Sequence, residues 1–203
     1  MSIVDFADCA DGHLAHYVDP ANGRAFFAYD RVGNPTILEP VDLLAPGLLD
    51  ASVRGSLVID MYRADGPYRH LRETMEALLD DPAAAEARFE DQNLDSSGPW
   101  ALVLAVLKAS DHTSGLKASM VTKILHRKRP RLVPIFDSKV AGFYGVTPHT
   151  PWRLWPIMQE ELRGHGDWIR ELAAAYRTPD DRELSALRAL DIVVWEHTQG
   201  CSA

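Results

Sequence analysis

Seven lysines and arginines (Lys117, Lys123, Arg127, Lys128, Arg129, Arg131 and Lys139) lie between positions 117 and 139, with one acid, Asp137, among them. The segment is therefore strongly basic in a chain whose formal net charge is −8. Such asymmetry marks a candidate anion-binding surface on an otherwise acidic body. Its expected ligands contact Lys123, Arg127, Lys128, Arg129, Arg131 and Lys139. Asp137 has two chemistries open to it. Facing solvent, its carboxylate can stabilise a developing positive charge; turned inward, it caps the helix that begins at Ser138 by accepting amide hydrogen bonds.

The elements that must position these groups follow from local pattern. Gly115 supplies a turn and Ser114 an N-cap for a helix over 116–128. On a helical wheel Leu116, Met120, Val121, Ile124 and Leu125 share one side, and Ser119, Thr122, Lys123, His126 and Arg129 the other. One side packs, and the other binds or is wet. Lys117 and Lys128 fall at the two ends of the apolar sector, where a lysine snorkels or finds a carboxylate. Pro130 ends the helix, and Leu132 to Phe136 forms an extended, buried connector leading to Asp137. Upstream, Trp100 to Lys108 is apolar all round, which predicts the central buried helix near 99–109, antiparallel to 116–128.

Helical periods also cover 54–63 and 68–79, with Asp42 capping a short bent helix before Pro46-Gly47. The aromatic stretch 24–32, set between Asn22-Gly23 and Gly33-Asn34-Pro35, predicts an extended strand or hairpin arm. Toward the C-terminus Pro156 should bend one helix and Gly164 to Gly166 should end it. The last helix, 183–197, points Leu184, Leu187, Leu190 and Val194 inward with Asp191 among them, paired to Arg188. Trp152, Trp155 and Trp168 are read as packing residues rather than base-stacking ones.

At 203 residues the chain suits a single helical domain, with 1–40 as an N-terminal elaboration and 41–203 as the helical core. Acidity disfavours a protein that coats nucleic acid along its whole surface. Two cysteines, Cys9 and Cys201, are too few for a disulfide framework. No basic, apolar leader and no long apolar run is present, so a cytoplasmic protein without membrane attachment is expected. Cys9, His13 and His16 lack a fourth ligand, and neither metal nor cofactor is expected. P-loop, dinucleotide, zinc-peptidase, serine-hydrolase and Cys-x-x-Cys motifs are all missing from the sequence.

The phrase S-M-V-T-K-I-L-H-R-K-R-P-R-L-V-P-I-F-D-S-K-V, with V-D-L-L-A-P-G-L-L before it and L-S-A-L-R-A-L-D-I-V-V-W after it, resembles a bacterial family of helical proteins of unknown function. More distantly, a glycine turn, a helix and then Pro-x-x-Asp heading a second helix resemble the core of helix-hairpin-helix DNA glycosylases. That second resemblance implies Asp137 as the aspartate that assists cleavage of a base–sugar bond and Lys117 as an approximate match to the hairpin lysine. The chain departs from the pattern in having one glycine, Gly115, where Gly-x-Gly is usual, and no four-cysteine cluster. The expectation is thus a mainly all-α fold with a short extended N-terminal segment. The leading functional reading is a domain binding an anionic small molecule or a protein through 117–139. The alternatives are a nucleic-acid-binding protein and an N-glycosidic hydrolase of glycosylase-like fold.

Overall fold

In a computed structural model of the chain, residues 1–31, 33–51, 53–147 and 150–200 are described; Cys201 and Val32 lie outside them. Helices run in the order α1 (Ala7–Val18), α2 (Phe26–Tyr29), α3 (Pro40–Leu44), α4 (Gly55–Tyr62), α5 (Arg69–Asp80) and α6 (Pro82–Glu86). They continue with α7 (Gly98–Asp111), α8 (Ala118–Lys128), α9 (Ser138–Phe143), α10 (Leu154–Ala174) and α11 (Ala186–His197). Short 3-10 turns join several of them, and the described residues contain no strand beyond an isolated bridge between Arg177 and Glu183. The fold is all-α. The chain divides into two units: Met1–Arg31 with Phe136–Ala203, and Val32–Ile135.

In the first unit α1 and α10 both pack on α11. Every residue of α11 from Leu187 to Val194 is buried, which makes it the spine of that unit. The stretch expected to be extended is instead helical at Phe26–Tyr29. Phe26 and Tyr29, three apart, are 1% and 0% exposed, and only a helical turn sends both rings inward. Helix α10 likewise runs 21 residues through both expected interruptions. Pro156 is its third residue, where the amide it lacks would have no partner within the helix. Gly164 and Gly166 each cost about 1 kcal/mol relative to alanine. The buried stripe Leu154, Met158, Leu162, Ile169 and Ala173 outweighs that, at about 1.5–3 kcal/mol for each large side chain.

In the second unit α5 packs along α7, burying Leu71, Met75, Leu78 and Leu79 on one face, while Phe89 meets Trp100 with ring centroids 5.2 Å apart. Helices α7 and α8 are adjacent as expected. Their burial is the reverse of expectation. The apolar α7 buries only Trp100, Val103, Val106, Ala109 and Ser110, whereas the basic α8 is buried at every residue from Val121 to Lys128. Helix α8 also starts later than Ser114, with Lys117 at its N-cap. Gly115 has φ +82°, and a Cβ there would lie 3.2 Å from Leu57 Cδ1, so the turn needs glycine.

Candidate functional site

Burial of α8 follows from what its cations meet inside the second unit. Lys123 Nζ donates to the Leu49 carbonyl at 3.0 Å. One turn on, Arg127 Nη1 and Lys128 Nζ reach the two oxygens of Asp42, each at 2.7 Å, and Lys128 also donates to the Asn34 carbonyl at 2.7 Å. Arg129 reaches the Pro35 and Lys128 carbonyls at 2.9 Å and also the carbonyl of Leu79. Burial holds the Arg129 pKa below its ordinary value, with Asp81 and Asp80 opposing. An unpartnered cation in such a place costs several kcal/mol, so each charge must be met by a carboxylate or by carbonyl dipoles. Here it is: Asp42 is 0% exposed, and Lys123, Arg127, Lys128 and Arg129 are 4%, 7%, 2% and 4%.

Asp42 is itself fixed from below. It is the third residue of α3, and its second oxygen accepts the Glu39 amide at 2.8 Å. The basic row of α8 therefore grips one stretch of chain, 34–49, at Asn34, Pro35, Asp42 and Leu49. We find four of the segment's seven cations inside the protein, not on a face. Of the remaining three, Arg131 is exposed with Glu86 at 3.8 Å. Lys117 is exposed and donates to the Asp111 carbonyl at 2.9 Å, which closes the turn between α7 and α8. Lys139 belongs to the first unit, where it donates to Gln199 Oε1 at 2.8 Å and lies 5.0 Å from the Trp195 ring centroid.

Asp137 has extended backbone, φ −116° and ψ 139°, and its Oδ1 accepts the Lys139 amide at 2.9 Å. That is N-cap geometry for α9. Asp137→Asn, which keeps the acceptor, should be within about 0.5 kcal/mol of the parent in urea denaturation, and Asp137→Ala should lose about 0.5–2 kcal/mol. A half-buried carboxylate whose loss left stability untouched in both variants would not be a cap.

Two further groupings of polar side chains lie in the first unit. Asp191 pairs with Arg188 as the three-residue spacing predicts, Nη1 to Oδ2 at 2.5 Å. Arg188 also takes Asp30 from the far end of the chain, at 2.9 and 2.8 Å, which no local pattern signals. On α1, His13 is 8% exposed, with its ring 5.6 Å from that of His197, which stacks on Phe6 at 3.9 Å. His16 Nδ1 lies 2.9 Å from Glu196, and Cys9 is exposed. Among the described residues no three His, Cys, Asp or Glu stand together in a way that could hold a metal. Trp155 packs edge-on to Phe136, whereas Trp152 is 61% exposed.

Burial, followed by His197, pushes the His13 pKa below its ordinary 6.5, with Glu196 opposing and His16 adding. The unfolded chain then takes up this proton first as pH falls. Its contribution to stability is therefore fully present above 6.5 and is lost as pH drops toward the folded value. The melting temperature should fall between about pH 7.5 and pH 5.5, and His13→Phe should flatten that part of the profile. An unchanged slope in the variant would show that His13 has no part in it.

No helix among the described residues is long and apolar enough to cross a membrane. A family model described as a family of unknown function (DUF6308) matches residues 10–198. No curated protein and no solved structure matches the chain.

Proposed function

The chain belongs to that family of unknown function, and we propose that it is a non-catalytic helical domain that binds a protein partner through the outer face of 37–48. The basic segment serves this role from inside. One observation carries the reading: the stretch held by α8 is apolar on its outward side. Ile37, Val41, Leu44 and Leu48 are 54%, 57%, 50% and 43% exposed, spaced by four, three and four residues, Ile37 in the bend before α3 and the other three along α3 and the 3-10 turn Ala45–Leu49. The inward residues Leu38, Asp42, Leu43 and Ala45 are all at most 4% exposed. Single exposed leucines are ordinary, but a contiguous row of exposed aliphatic side chains on and beside a short helix is the form in which helical domains meet partners. Asp137 acting as a cap and Lys117 acting on a carbonyl support structural roles for both residues and favour the docking reading over a glycosidase.

A photo-crosslinking residue placed at 44, and separately at 131 and 139, tests this in cells. The reading expects a discrete protein adduct from 44. That adduct should vanish when Val41 and Leu48 are both changed to glutamate in a chain that still melts at the parent temperature. Nucleic-acid adducts from 131 or 139, with none from 44, would overturn it in favour of anion binding. Silence from 44 would overturn it as well.

A further inference from the structure

We infer that the partner seated on this row is a second copy of the chain. The inference rests on the docking reading above and adds the identity of the occupant. The C-terminal end of the row carries one acid and one base. Asp50 closes the 3-10 turn that carries Leu48, and Arg54 is the N-cap of α4, the helix that presents Ile59, 69% exposed. Helix α4 packs on α3, and Tyr62 donates to the Leu38 carbonyl at 2.7 Å, which ties it to the start of the row.

Asp50 and Arg54 are both exposed, and neither side chain has a hydrogen bond or an ion pair with any described residue. By contrast Arg63, at the opposite, C-terminal end of α4, is already matched by Asp60 and Asp65. One unmatched acid and one unmatched base, four positions apart beside an apolar row, form a self-complementary pattern. A two-fold contact sets a patch against itself, so Asp50 of each copy can meet Arg54 of the other. The pair is locally neutral, which matters for association between two chains of net charge −8. A nucleic acid or an anionic bilayer would need several unmatched cations at this rim, and among the described residues there Arg54 is a single one.

Five partly exposed aliphatic side chains make a small core beside the roughly 800 Å² per partner of a standard interface. The dimer should therefore be reversible, with a dissociation constant on the order of micromolar. Sedimentation velocity on the purified chain from about 1 to 500 µM should show a monomer–dimer shift. Leu44→Glu should abolish dimerisation without lowering the melting temperature. Arg54→Glu and Asp50→Arg should each weaken it by about ten-fold or more, because like charges then face each other, and the doubly exchanged chain should recover to within about three-fold of the parent. A dimer that ignores Leu44→Glu overturns the inference, as does a double exchange no better than the single ones. A monomer at every concentration overturns it too. If adducts from 44 to another protein persist in that case, the row is still a docking site and only its occupant is wrong.

Discussion

Asp42→Asn is expected to lower the free energy of unfolding by about 3–5 kcal/mol, because it leaves two cations in the interior without their counter-charge. Asp42 is 0% exposed, and the Arg127 and Lys128 side chains are 6% and 0% exposed. Asparagine can still accept a hydrogen bond, so the loss isolates charge from shape. Urea denaturation should show a shifted midpoint at constant slope. The companion variant is Asp42→Leu with Arg127→Met and Lys128→Met. It should recover most of the loss, since an apolar set of similar volume has no desolvation cost, although the Asn34 carbonyl then lacks its lysine. A deficit under about 1 kcal/mol for Asp42→Asn would mean that water reaches the site and the grip on 34–49 is weak.

The second large effect lies in the first unit. Arg188 is 2% exposed and donates Nε and Nη2 to Asp30, Nη1 to Asp191, and Nη2 also to the Tyr17 hydroxyl at 3.0 Å. Its guanidinium lies 5.3 and 5.0 Å from the ring centroids of Tyr17 and Tyr29. Burial is the largest single influence and opposes the cation, yet Asp30, Tyr17 and Asp191 together hold its pKa well above the ordinary value. Arg188→Met removes the cation that faces two carboxylates whose side chains are each 6% exposed, and should cost about 3–5 kcal/mol. Arg188→Lys keeps the charge but cannot make the two-point contact with Asp30, and should fall between the methionine variant and the parent. Equal losses for lysine and methionine would show that geometry alone holds this network together.

These two networks show where the sequence was legible. Arg188 and Asp191 are three apart on one helix, so their pairing follows from helical period. Asp42 and Arg127 are 85 positions apart, and nothing in either neighbourhood names the other. The reversal between α7 and α8 has the same origin. The wheel puts Lys123 and Arg129 on the polar side, but the groups that hold them are main-chain carbonyls of Leu49, Pro35 and Leu79. Carbonyls have no letter in a sequence. The 24–32 stretch misled because aromatic content favours strands, while the inward pairing of Phe26 with Tyr29 depends on what they pack against. Asp137 was legible as a cap, since the rule for that position is local.

The grip of α8 on 34–49 can be tested with the chain's own lysines, of which there are five: Lys108, Lys117, Lys123, Lys128 and Lys139. Three are exposed and two, Lys123 and Lys128, are buried. Brief acylation of the native protein, read peptide by peptide by mass spectrometry, compares all five in one sample. Lys108, Lys117 and Lys139 should be modified quickly. Lys123 and Lys128 should stay unmodified until denaturant unfolds the chain, and both should become reactive in native Asp42→Asn. If Lys123 and Lys128 instead react as fast as Lys139 in the native protein, and a polyanion shields them, the basic segment is an open anion-binding face and the internal grip does not exist.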